Sequence, residues 1–164
     1  LFVNRYYNKG VSLMKFDTVN IPSIKKPNRV VSRVFLHCSA SDRPQDDNPQ
    51  TIEKWHIARK FKEIGYHFYI DKGGNIFEGR SLNTNPAAQV GHNANTIAIC
   101  LKKMKKENFT MNQKRALVAL CLHLEHIIKG LTFHGHCEVS NKECPVFDYK
   151  KWLDLNQYGV MRLL

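Results

Sequence analysis

The chain has 164 residues, 43% of them hydrophobic and 24% charged; such a balance excludes a disordered tail, and the length is too short for two full enzyme domains. Lys and Arg number 25 against 14 Asp and Glu, a formal net charge of +11. That excess steers the surface toward nucleic acid, an acidic membrane face or a carboxylate-rich polymer without choosing among them.

Residues 1–30 are polar and basic, with Pro22, Pro27 and the Lys25-Lys26 pair breaking any regular period. They read as an extension laid over a domain formed by residues 31–164. The opening residues lack the apolar run of a secretion signal, and no window holds the roughly 18 to 20 apolar residues of a membrane span. The chain is therefore expected to be soluble and monomeric, with its localisation left open. It begins with Leu, as a processed or trimmed chain does.

VSRVFLH (31–37) is rich in β-branched and aromatic residues and predicts a buried strand ending at His37. Asn48-Pro49 supplies a cap and a first-turn proline for a helix running to Lys62, with Gly65 closing it. YHFYID and GNIFEG flank Lys72-Gly73, which predicts a β-hairpin over 66–79. TIAICLK (96–102) has the near-continuous apolar character of a central strand. Thr110 and Gln113 form a capping-box pattern before Leu117, Leu120, Cys121, Leu124 and Ile127, one apolar helical stripe closed by Gly130. A short strand at 131–134, a polar loop and a last helix over 148–156 complete the chain. The expected architecture is a single α/β domain whose central mixed sheet is flanked by helices.

Five cysteines is an odd number without the density of a disulfide scaffold, which favours reduced thiols and a metal ligand. The polar loop GHCEVSNKECP sets His136 and Cys144 eight positions apart around Lys142. Imidazole nitrogen and thiolate sulfur both suit zinc, and His37 as a third ligand at a strand end leaves a tetrahedral position open for water. The spacing alone is equally compatible with a buried thiol beside a surface histidine.

HCSAS (37–41), TIEKWH (51–56), GYHFYI (65–70), GNIFEGR (74–80), NTIAICL (95–101) and HCEVSNKECPVFD (136–148) resemble, in the same order, the N-acetylmuramoyl-L-alanine amidase family, which includes phage amidase lysozymes and peptidoglycan recognition proteins. The resemblance spans residues 31–152. It implies Zn2+ held by His37, His136 and Cys144 at one end of the sheet, Tyr66 and Lys142 as catalytic side chains, and bacterial peptidoglycan as substrate. Zinc chemistry agrees: the metal lowers the pKa of water toward about 7 and polarises the scissile carbonyl, and a cation or phenol beside it can stabilise the oxyanion.

His92 lies where family members place a cleft histidine, although the loop here is shorter, and it is a candidate substrate contact. His67 is another, although strand alternation turns it away from Tyr66. Glu78 and Arg80 at the hairpin's end are candidates beside the plainer reading of a surface ion pair. Glu138 can steady a ligand from behind, whereas His56, His123 and His126 read as packing or solvated residues and Cys38, Cys100 and Cys121 as small hydrophobes.

Two rival readings stay within the family: a silent peptidoglycan-binding receptor, which typically lacks the cysteine ligand, and a cytosolic recycling amidase, which typically uses aspartate there. A nucleic-acid reading rests on the basic stretch 102–108, which lacks interleaved aromatics, so no specific nucleic-acid partner is expected.

Overall fold

Strands buried on both faces need nearly continuous apolar sequence. RVFLHC forms one, β1 (Arg33–Cys38), buried at every residue after Arg33, and TIAICL forms β4 (Thr96–Leu101), buried along its whole length. Between them in the chain lie α1 (Pro49–Ala58), β2 (Phe68–Ile70) and β3 (Ile76–Glu78); after them come α2 (Met111–Ile128), β5 (Thr132–Gly135) and α3 (Tyr149–Trp152). The strands form one sheet in the order β3-β2-β4-β1-β5. β1 pairs in parallel with β4 and β5, β2 in parallel with β4, and β3 returns antiparallel along β2. The expected mixed sheet is present, with TIAICL at its centre. The structure is a computed structural model and describes residues 19–162. The part of the expected extension up to residue 18 lies outside the described residues, and Val19, Ile21 and Ile24 pack against the core.

Alternation along the central strands sends two sets of side chains to two helices. Val34, Leu36, Ile97, Ile99 and Leu101 meet the predicted stripe of α2, in which Leu117, Leu120, Cys121 and Leu124 are fully buried and Ile127 packs at the edge. Each such aliphatic side chain withdrawn from water contributes about 1.5–3 kcal/mol. On the opposite face Tyr69 and Cys100 pack with Ile52 of α1 and Ile64. That face also carries His37, because His37 pairs in register with Cys100, which pairs with Tyr69.

The capping box forms as predicted: Thr110 Oγ1 accepts from the Gln113 amide and Gln113 Oε1 from the Thr110 amide, both at 3.0 Å. Both side chains reach further. Thr110 Oγ1 donates to the Lys72 carbonyl and Gln113 Nε2 to the Lys102 carbonyl, each at 2.7 Å, which locks the start of α2 to the hairpin turn and the end of β4. Gly74 in that turn adopts φ +84°, and a Cβ there would stand 2.6 Å from the Asn112 carbonyl oxygen, so glycine is required.

Two helices are shorter than the sequence predicts. α1 stops at Ala58 because Lys60 turns left-handed at φ +70° and the Phe61 amide folds back onto the His56 carbonyl. α3 stops at Trp152 because Leu153 and Leu155 both enter the core, a spacing of two that a helical face cannot satisfy. Leu155 instead bridges Met161 in a short antiparallel contact.

Candidate metal centre

His37 sits near the carboxyl end of β1 and is 1% exposed. Its Nε2 lies 3.0 Å from Gln89 Oε1. The Gln89 Nε2 group faces Thr96 Oγ1 at 2.8 Å and the His92 carbonyl at 3.3 Å. A carbonyl can only accept, so the amide orientation is fixed, Gln89 Oε1 must accept from His37, and the His37 proton resides on Nε2. Nδ1 is left with a free lone pair. Burial first, and the neighbouring His136 second, push the His37 pKa down to about 3, so the ring is neutral as a ligand must be.

His136 opens a short 3-10 turn after β5. Glu138 holds that turn: its carboxylate accepts from the Gly135 amide at 3.2 Å and from the Tyr149 hydroxyl, and pairs with His134 Nδ1 at 2.7 Å. Burial opposes ionisation of Glu138, but the bonds from Tyr149, His134 and Gly135 outweigh it and hold the carboxyl below its ordinary range. The Tyr149 ring approaches so closely that a Cβ on Gly135 would stand 2.6 Å from it. Burial, then Lys142, lowers the His136 pKa as well. At the far end of the same loop the Cys144 carbonyl accepts from the Cys137 amide at 2.7 Å, closing the segment so that its thiol meets His37 Nδ1 at 3.8 Å.

The ligand atoms of His37, His136 and Cys144 lie within 4.8 Å of one another, and the two imidazole centroids are 4.6 Å apart. Donor atoms on a tetrahedral ion with bonds of 2.0–2.3 Å stand roughly 3.3–3.8 Å apart, so small side-chain rotations close the set. The three residues line a cleft of about 340 Å³ together with Tyr66, Lys142 and Trp55. Tyr66 lies between the His37 and His56 rings, 5.2 Å from each centroid. Burial, then the thiols of Cys100, Cys144 and Cys38, raises its pKa well above 10.0, so its hydroxyl remains a donor at neutral pH. Lys142 is exposed at the mouth.

Other expected contacts fall elsewhere. His67, Glu78 and Arg80 line a separate cavity, so the structure does not bring these three expected substrate contacts to the cleft. Arg80 spends its guanidinium on the Ile64 and Asn85 carbonyls and pairs with Glu63 at 3.4 Å, not with Glu78; it braces the segment that presents Tyr66. His92 is absent from the cleft lining, where Val90 and Asn93 stand instead. Its carbonyl serves the site by orienting Gln89. Sequence reasoning missed Gln89, which is fully buried, and placed His56 in the helix packing, whereas its ring also lines the cleft and its Nδ1 accepts from the Gly65 amide at 2.8 Å.

His67 is 1% exposed, with Nδ1 accepting from the Ala98 amide at 3.0 Å and Nε2 on the Thr84 carbonyl at 2.9 Å. Protonation at Nδ1 would break the first bond, and burial holds the pKa down to about 4 against an ordinary 6.5. Between those values the unfolded chain binds the proton and the folded chain does not, so stability falls as pH drops through 6.5 and levels off below about 4. Urea unfolding of the metal-free protein at pH 7 and pH 5 should show His67 removing about 2 kcal/mol, since one pKa unit is about 1.4 kcal/mol. His37, held down to about 3, contributes to the same fall, so His67→Gln, which keeps an acceptor and a donor, should remove about 2 kcal/mol of it and leave the rest; an unchanged slope would assign the acid loss to other groups.

A neutral three-donor centre at the end of a central strand, opening into a groove with a hydroxyl and a cation beside it, is the architecture of a metal-dependent hydrolase. The profile of the N-acetylmuramoyl-L-alanine amidase family matches residues 27–147, and the chain belongs to that family and is an amidase of its type. It is 32% identical over 132 residues to the endolysin of Klebsiella phage KP32, covering 77% of this chain and 87% of that protein. The endolysin of Escherichia phage T7 is 32% identical over 138 residues, 80% and 91% of the respective chains. Among solved structures, the endolysin N-acetylmuramoyl-L-alanine amidase LysCS of Clostridium intestinale URNW superposes with a TM-score of 0.70 at 27% identity, covering 83% of this chain and 96% of that one. Among the described residues, no helix is long and apolar enough to cross a membrane.

Proposed function

We propose that this amidase is zinc-dependent and lytic, cutting the bond between N-acetylmuramic acid and L-alanine in intact bacterial peptidoglycan, with His37, His136 and Cys144 as ligands and Tyr66 and Lys142 as catalytic side chains. The observation that carries the reading is the convergence of two neutral imidazoles and one thiol within 4.8 Å at the wall of an open cleft. Two nitrogens and one sulfur suit zinc better than magnesium or calcium, which take oxygen donors.

When bound, the ion supplies a Lewis acid that activates water at neutral pH and polarises the scissile carbonyl. The chain's own groups do the rest. Gln89 fixes the tautomer that points His37 Nδ1 inward. The protonated Tyr66 hydroxyl can donate to the oxyanion that develops as the amide is attacked, and the Lys142 cation offers a second stabilising charge from the loop that bears two of the ligands. Trp55, Phe61 and the 95% exposed Val90 give the groove apolar walls for the sugar and peptide flanking the bond. The +11 charge favours approach to a polymer that bears carboxylates, and release to the wall after synthesis fits that substrate.

Metal analysis combined with digestion of purified sacculi tests the proposal. The expected result is one zinc per chain and release of stem peptides with free L-alanine amino ends, stopped by a chelator and restored by zinc. Cleavage of soluble muropeptides alone would favour the recycling reading, and binding to sacculi without cleavage the receptor reading.

A further inference from the structure

Cys38 and Cys144, 106 positions apart in sequence, meet at the wall of the cleft. The Cys38 amide donates to Cys144 Sγ at 3.3 Å, which sets the two residues in direct contact. Neither is in a disulfide. Cys38 is 8% exposed and, like Cys144, borders the cleft, so a small reagent reaches the pair by the substrate's own route. The other thiols are less well placed. Cys100 is fully buried and turned toward the Leu101 carbonyl, Cys121 is fully buried within α2, and Cys137, although its amide donates to the Cys144 carbonyl at 2.7 Å, is exposed and does not line the cleft.

We propose that Cys38 and Cys144 are an oxidative modification site: a small-molecule disulfide converts them to an intramolecular bridge that removes the sulfur donor from the metal centre and turns the amidase off reversibly. The inference rests on the reading of Cys144 as a metal ligand.

The chemistry balances as two thiol–disulfide exchanges. The Cys144 sulfur attacks one sulfur of the reagent, RSSR; a new S–S bond forms, the old one breaks and RS⁻ departs. The Cys38 sulfur then attacks the Cys144 sulfur and expels the second RS⁻. One departing thiolate takes up the Cys38 proton and the other a proton from water, because Cys144 as a metal ligand holds none; RSSR is reduced to two RSH as the protein loses two electrons. A bridge needs Cβ atoms about 3.5–4.5 Å apart. Cys38 is held in β1, whereas Cys144 lies in a loop, so the loop supplies the adjustment. Moving that loop also displaces Lys142, two residues away.

The native ligand set and the bridge compete for one sulfur, which makes the site respond to the ratio of reduced to oxidised thiol in its surroundings. Cys38 is the residue that gives the response its depth. Without it, oxidation stops at a mixed disulfide on Cys144, which reduced thiol reverses in one step.

The test equilibrates the zinc-loaded full chain in mixtures of reduced and oxidised glutathione, reading intact mass, zinc released to a chromogenic chelator and a tryptic map without reduction. The expected oxidised product is lighter by two hydrogens, carries no glutathione, links the Cys38 and Cys144 peptides, has released its zinc, and recovers metal after dithiothreitol and zinc. Cys38→Ser should carry only a glutathione adduct, and the glutathione ratio at half release of zinc should shift by about tenfold or more toward oxidised conditions. Wild type and Cys38→Ser releasing zinc at the same ratio, or a map linking Cys144 to Cys137 or Cys100, would overturn the proposal. If Cys38→Ser does not fold, the wild-type map decides alone. Reduced protein that holds no zinc would refute the ligand reading instead, while the mass and map still report whether the bridge forms.

Discussion

Replacing Cys144 by alanine should abolish zinc binding and turnover together, whereas Lys142→Ala should keep a full equivalent of zinc and lose turnover by roughly 10²–10³-fold, the usual consequence of removing one oxyanion-stabilising group. The geometry sets this division. Cys144 supplies the sulfur of the three-atom cluster, and two imidazoles alone leave a weak, incompletely enclosed site. Lys142 lines the same cleft but is exposed and carries no ligand atom, so its loss leaves the donor set intact. Zinc content after gel filtration and initial rates on purified sacculi separate the two effects. Equal loss of zinc in both variants would show that Lys142 shapes the loop rather than serving the reaction.

The strands and the long helix were legible because their signals are local. The apolar runs of β1 and β4, the hairpin glycines and the Thr110/Gln113 box each specify geometry within a few residues, and each appears where predicted. The centre was half legible. Three of its polar residues lie on one loop, and His37 ends a strand, but spacing alone left a buried thiol and a surface histidine equally open. Gln89 escaped notice because it lies in an aperiodic loop, and its role depends on a contact 52 positions away with His37. Cys38 escaped for the same reason: by composition it is one more small apolar residue in a strand, and only the folded chain sets it against Cys144. Arg80 and His67 show the converse. Both carry chemistry-bearing groups, and the fold occupies those groups with backbone partners and, for Arg80, with Glu63.

Gln89→Leu is expected to weaken zinc binding by about 10–100-fold, the range for losing a hydrogen bond that orients a metal-ligating histidine. Leucine cannot accept from His37 Nε2, so the ring is free to exchange tautomers, and the form carrying its proton on Nδ1 cannot bind metal there. The substitution also leaves His37 Nε2, Thr96 Oγ1 and the His92 carbonyl without a buried partner they now share, at about 1–3 kcal/mol for an unsatisfied group. Metal-free stability will therefore fall as well, and stability alone cannot identify a positioning role. Gln89→Glu separates the two. A carboxylate still accepts from His37 and raises its basicity, but it loses the donors to Thr96 and His92. The expected pattern is two variants with similarly lowered urea midpoints in the metal-free state, of which only Gln89→Leu loses zinc affinity in a chelator competition. If affinity follows stability in both, Gln89 is a packing residue and the His37 tautomer is held by other means.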